Sequence, residues 1–560
     1  MSDTTHSSQS IHSTQGVREV EPIHADSSHG KADSKESGEP LVLSPLASSL
    51  LHALNGKQHE SKEETIKVNP LISHVATWYE KFRNAMDYRE DEVVLRAAIE
   101  RILKRRILFG GTGKTMAEPL IRELAWARYF KEDSLSQSSI EKVGKQIDLY
   151  LSLRERLLSD QILKEGIVNE WTYHLMSSDV EHMLNKQREK EIIASFMFQV
   201  MKNTVIAEDM DDQTKDVQVF IAVRRAFARD DIAFLRFNLF SQFVEKLSEE
   251  NIESVTSSFP SIYSEIQKQL AHPRKETIFN YIKSRTAVFF ILEDIFRFSQ
   301  GSVKELVTNP KELERVVLEA CSVRYKTITS KVRRAIIRSV IFLLLTKAFF
   351  AFAVEGSFER YFYGEVLWTS MGINIAIPPI LMIIVGLFIR APKTSNSIRI
   401  LNHIKTVLSK ENPSIGEPLV LHKKSDKQKG YMNSVFSLLW ILAFLVSFGI
   451  LVWILTKLHF NPISQGIFLF FLAIVSFMSY RIRVVSQVYT VEEKQGWTTP
   501  IVDFFFMPII RVGRHLTDGI AQINILIFIF DFIIETPFKG IFAFFEQLFL
   551  FLHAKREGLD

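Results

Sequence analysis

A hydrophobic tract from Ala335 to Ile482 constrains this chain more than any other feature. Four stretches within it, 335–354, 366–389, 434–455 and 462–480, are as long and apolar as a bilayer crossing requires. A hydrocarbon core takes roughly 17–25 residues of apolar helix, and inside it only helices or closed barrels satisfy the backbone. The expected fold is therefore all-α: an integral membrane helical bundle of about four spans, carrying a large soluble region on its N-terminal side.

Charge placement gives the expected topology. Arg324, Lys326, Lys331, Arg333, Arg334 and Arg338 stand at the entrance to the first span, and a basic loop at 390–433 follows the second. The opposite ends are short: a mostly acidic stretch at 355–365 and a tight turn at 457–461. Short basic flanks stay in the cytoplasm, so both termini are expected inside, with the chain in the cell's inner membrane. Tyr361, Tyr363, Trp368, Trp453 and Tyr480 lie at span ends, where amphipathic rings prefer to sit. The first ten residues hold no apolar signal core, so insertion is expected to be directed by the first span. One cysteine, Cys321, excludes an intrachain disulfide framework and fits a reducing compartment. A net charge of +4 in 560 residues gives no global field for nucleic acid.

The rest divides by composition. Residues 1–65 are rich in Ser, His, Gly, Glu and Lys and read as a disordered tail, with an apolar island at 41–54 suited to a short docking helix. His6, His12, His24 and His29 are spaced too irregularly to suggest a metal site. Residues 66–330 show apolar spacing of three and four throughout and read as a cytosolic all-α domain. Its expected helices are 70–86, 90–108, 116–131, 138–159, 161–176, 178–206, 215–229, 231–249, 260–271, 274–299 and 310–330. After the spans, 484–560 carry Phe/Ile-rich runs at 501–512, 523–534 and 541–552, broken by Pro508, by 511–518 and by Pro537. These are short for spans and suit interfacial or re-entrant helices. The competing arrangement makes 521–536 and 538–553 a spanning hairpin, for six spans in all.

Few motifs carry chemistry. Gly110-Gly111-Thr112-Gly113-Lys114-Thr115 resembles a phosphate-binding loop in composition. Leu108 stands where the loop pattern needs glycine, and a charged helix precedes it where a buried strand is required. It reads as a glycine helix stop followed by a new helix. Glu208–Thr214 has the charge of a calcium loop without its glycine or terminal glutamate. His174, Asp179, Glu181 and His182 read as surface residues, and Cys321 as core. No metal or cofactor is expected.

Lys347 is a charge deep inside a span, and an intramembrane charge is a functional hypothesis by default. Asn374, Pro378 and Pro379 mark a helix break in the second span, where prolines free carbonyls four residues back. Arg333, Arg334 and Arg338 are suited to anionic lipid headgroups. The large, motif-poor soluble region favours a membrane-anchored scaffold that presents a helical domain to protein partners. The alternative is a transporter or channel subunit using the region of Lys347 and Pro378-Pro379. A third reading is an enzyme acting on lipid or nucleotide.

Overall fold

A computed structural model describes residues 40–55, 94–130, 137–185, 188–298, 303–362, 364, 368–389, 392–422, 426–458, 460, 462–491 and 498–521, together with 544 and 548. The histidines of the N-terminal tail, the expected helix at 70–86 and most of the runs at 523–534 and 541–552 lie outside these residues. What is described is mostly helical.

The head begins with α1 (Pro45–Asn55), the docking helix of the apolar island. Ser44 caps it by accepting from the Ala47 amide at 3.1 Å. Then come α2 (Val94–Leu108), α3 (Gly113–Trp126), α4 (Gln137–Ser159), α5 (Glu165–Leu184) and α6 (Arg188–Lys202). Strand β1 (Val205–Ala207) leads to α7 (Asp212–Val223), which ends in a π turn at Arg224–Ala228. The head continues with α8 (Ile232–Phe243), α9 (Ile252–Leu270), α10 (Lys275–Lys283), α11 (Thr286–Phe298) and α12 (Val303–Thr308). The helix continues past residue 177, where a break was expected, and ends at Leu184. Ser177 and Ser178, which look like a helix start, are fully buried in the middle of α5.

Helix α13 runs from Pro310 to Phe362 as one helical rod, 53 residues and about 80 Å. Asn309 caps it, accepting from the amides of Lys311 and Glu312 at 3.2 and 3.3 Å. The segments expected separately at 310–330 and 335–354 are one rod. Its buried stripe passes from Leu313, Val317 and Cys321 through Ile328 and Val332 to Ser339, Leu343 and Lys347. A π turn at Ala351–Gly356 interrupts the α spacing near the far end.

Helix α14 (Trp368–Phe388) returns alongside α13, with the Ile336 side chain packed against Gly386. The basic stretch that follows is folded into the head. Helix α15 (Thr394–Ser409) packs on α13, α11 and α1 and buries Ile400, Leu401, Ile404, Val407 and Leu408. Strand β2 (Leu419–Leu421) pairs in parallel with β1, Val205 opposite Leu419. Arg285 holds the approach to β2, donating to the carbonyls of Ile415 at 2.6 Å and Glu417 at 3.1 Å.

Helices α16 (Asp426–Lys457) and α17 (Pro462–Ser486) form a hairpin. Three helices among the described residues are long and apolar enough to cross a membrane: α13, the Ser434–Lys457 part of α16, and α17. The apolar stretch of α14 is shorter, Asn374–Phe388. These helices turn large apolar side chains outward, with Leu345, Phe349, Leu438, Leu445 and Trp453 each more than 60% exposed.

Helix α18 (Thr498–Ala521) passes through Pro508 and across 511–518, where a break was expected. Two contacts explain its continuity. Gly513 lets its backbone meet that of Ala473 in α17, where a Cβ would lie 2.0 Å from the carbonyl oxygen. The Arg511 guanidinium sits 4.4 Å from the centre of the Trp440 ring.

Among the described residues the structure has a small cluster of Leu455, Phe460 and Phe468 and two large apolar cores. One is built from α2 to α5 with α8 and α9, around Trp171, Tyr150 and Phe259. The other joins α1, α6, α7, α10 to α13 and α15, and continues without a gap to Leu343, Met382, Phe471 and Ile482 in the apolar bundle. Head and bundle therefore share one core.

Candidate functional site

The expected site residues fall in three places, and only one gathers chemistry. In the glycine turn, Gly110 adopts φ +75° and ends α2 in the left-handed conformation that glycine takes at least cost. Gly113 lies against Gly144 of α4, where a Cβ would sit 2.0 Å from the Gly144 carbonyl oxygen. The Gly113 amide, the group that would meet a phosphate, donates instead to the Asp148 carboxylate at 2.6 Å. The Thr115 hydroxyl accepts from the Thr112 amide at 2.9 Å, and Lys114 is exposed. Helix crossing and capping thus account for Gly110, Gly113 and Thr115, while Gly111 packs tightly over Met116.

Arg333, Arg334 and Arg338 are exposed along α13 where it leaves the head for the bundle. Asp211 of the acidic loop caps α7, accepting from the Thr214 amide at 2.9 Å.

His174 and Glu181, expected at the surface, are buried. They belong to a charge network that joins α2, α5 and the start of α8. Arg96 pairs with Glu100 and with Asp231 at 2.7 Å, and donates to Ser177 at 3.2 Å. Arg236 bridges Glu170 and His174 at 2.7 and 2.8 Å. Burial alone would raise the Glu100 carboxyl, but Arg96 and Lys104 hold it down at about 2. Burial pushes Glu181 up to about 8. Arg224 completes a neighbouring cluster with Glu191 and Asp230. Among the described residues no group of side chains is suited to hold a metal ion.

The remaining predicted residues, Lys347, Asn374, Pro378 and Pro379, lead into the apolar bundle. Helix α14 is continuous through the buried proline pair, so the expected break is a helix that lacks two backbone hydrogen bonds. Asn374 sits a turn before the prolines. Its Nδ2 donates to both carboxylate oxygens of Glu355, at 2.8 and 2.9 Å. The Ser464 hydroxyl, from α17, donates to the same carboxylate. Lys347 lies on the same face of α13 and stands 5.0 Å from the centre of the Phe471 ring. Glu355, Asn374 and Lys347 are wholly inaccessible, and Ser464 is 1% exposed. Among the described residues, neither Lys347 Nζ nor Asn374 Oδ1 has a hydrogen-bond partner.

The π turn aligns this site. Residues eight apart in a regular α-helix are about 80° apart around the axis. A π turn absorbs one extra residue, which brings Glu355 back to within roughly 20° of Lys347. Three helices thus deliver a carboxylate, an amide, a hydroxyl and an ammonium into apolar surroundings. Glu355 and Ser464 were missed because hydropathy ends the first span at Val354, which reads Glu355 as outer loop, and because one serine in an apolar run is unremarkable. The signal that was present is spacing: Leu343, Lys347, Ala351 and Glu355 follow one another at intervals of four.

No protein-family model, no curated protein and no solved structure matches this chain.

Proposed function

We propose that this protein is a multi-span membrane protein of the transporter or channel class, with its ion-handling site at Lys347, Glu355, Asn374 and Ser464. One observation carries the reading: an acid and a base are buried together among helices whose outer faces are apolar. Withdrawing such charges from water costs several kcal/mol each, and apolar side chains of similar size would give a more stable bundle. The large outward-facing apolar area supports a lipid environment, since water-soluble proteins rarely expose contiguous apolar patches of more than a few hundred Å². The basic residues at 324–338 and 390–429 favour a cytoplasmic head, both termini inside, and the inner membrane of the cell. Both termini inside require an even number of crossings, which the four apolar helices supply, with α18 packed on α17 and α16. Arg333, Arg334 and Arg338 would then face anionic headgroups at the inner surface.

The test is reconstitution of the full-length protein in liposomes, with current recorded under imposed gradients of proton, sodium, potassium or chloride. The reading expects current above empty liposomes for at least one ion, lost in Glu355→Gln. Traces indistinguishable from empty liposomes for all four overturn it.

A second reading, a membrane-anchored scaffold, is favoured by the exposure of Leu108 (69%) and Phe109 (77%) side by side at the end of α2. It expects partners recovered from detergent extracts to be lost in a Leu108→Ser/Phe109→Ser variant. Unchanged recovery counts against that surface.

A further inference from the structure

We propose that Glu355 is a reversible proton-binding site, with Lys347 as the internal cation that replaces the proton when Glu355 is ionised. The inference deepens the transport reading and rests on it for the site's role, but its chemistry follows from geometry alone.

The carboxylate is set up for exchange. Asn374 Nδ2 and the Ser464 hydroxyl are neutral donors on two separate helices, and both stabilise the ionised form. Among the described residues no cation is bonded to the carboxylate: Lys347 shares the face and has no hydrogen-bond acceptor. The other facing elements add no competing charge. Helix α14 has no ionisable side chain, and α17 has none before Tyr480, Arg481 and Arg483 at its far end. Along α13 itself Glu359 and Arg360 follow in sequence, and Arg360 is exposed. Among the described residues the charge state of Glu355 therefore depends on one partner, a long amine rooted about two turns away.

The exchange balances simply. In one state the proton bonds to a carboxylate oxygen, Glu355 is neutral, and the lysine side chain lies back toward the head along its own helix, the direction a helical side chain leans. In the other state the proton leaves to water as hydronium, and the ammonium swings to the carboxylate. No electrons move, and no covalent bond other than O–H forms or breaks. The π turn is the element positioned to respond, because Glu355 lies within it and π turns recur where helices adjust at functional sites. Asn374 follows the carboxylate, and the two missing backbone hydrogen bonds at Pro378-Pro379 leave α14 free to bend with it.

Infrared difference spectroscopy of the full-length protein in lipid nanodiscs, titrated with pH, tests this. The wild type is expected to show a protonated-carboxyl band that grows as pH falls and is missing in Glu355→Gln. Ser464→Ala removes one donor to the charged form and keeps every charge, so it is expected to move the band's midpoint up by about one pH unit, a tenfold gain in proton affinity. Lys347→Met is expected to move it up by at least as much. Identical spectra for wild type and Glu355→Gln overturn the proposal, as does a midpoint unmoved by both other variants. Titration without any ion current keeps the proton site and removes the transport role, whereas current without titration keeps transport and overturns the proton site.

Discussion

The molecule buries charge in two regions, on opposite terms. In the head, Arg96, Glu100, Asp231, Arg224 and Asp230 are each bonded to an oppositely charged neighbour. In the bundle, Glu355 is held by neutral donors, while Lys347 on the same helix face has no acceptor among the described residues. A buried ion whose partner is in place is part of the architecture, and removing one partner unbalances it. A buried ion without one is a standing cost to stability, and its retention needs a reason outside folding. The same side-chain chemistry therefore reads as structural in one region and as functional in the other.

Four substitutions sharpen or break this contrast. Arg96→Met takes the cation from Asp231 and leaves Glu100 to Lys104 alone, and is expected to cost about 3 kcal/mol, measured by denaturation of the full-length protein in detergent. A loss below 1 kcal/mol would mean that the head network is dispensable. Glu181 gives a pH test. Its carboxyl is raised to about 8 from an ordinary 4.5, so between those values the folded state keeps a proton that the unfolded state has released. Its contribution is complete below about pH 4.5 and is lost as pH rises through 8, a difference of a few kcal/mol. Stability measured at pH 5 and pH 9 should lose that difference in Glu181→Gln. Lys347→Met is expected to act with the opposite sign to Arg96→Met, leaving the bundle unchanged or about 1 kcal/mol more stable in a thermal melt. Destabilisation by 3 kcal/mol would erase the distinction between the regions. Lys114→Ala, an exposed charge beside a glycine turn, is expected to stay within about 0.5 kcal/mol of wild type in the same melt.

Much of the architecture is legible in the amino-acid pattern, because apolar length and three-to-four spacing are local properties. The four apolar helices, most helices of the head and the docking helix at 45–55 can be read this way. What escapes is set by partners distant in sequence. The continuity of α13 past Ser330 is hidden by Lys331, Arg333 and Arg334, which project from the helix and do not end it. The folding of 392–422 into the head depends on Arg285, more than 100 residues away. The passage of α18 through Pro508 depends on Ala473 and Trp440. The burial of His174 and Glu181 depends on the network around Arg96 and Arg236, which their own helix does not reveal. At the candidate site, Lys347 and Asn374 stand out as polar groups in apolar runs. Glu355 does not, because a hydropathy window cannot register the π turn that carries it back onto the buried stripe.

The claim that matters most is that the charge in the bundle serves activity at the expense of stability. Glu355→Gln, purified once and divided between a thermal melt and the liposome current assay, tests it directly, since glutamine keeps the shape of the side chain and one acceptor oxygen while removing its charge. The expected result is a melting temperature equal to or above wild type together with loss of ion current. A variant that melts several degrees lower and conducts as wild type does would contradict the account and make Glu355 a structural residue like those of the head.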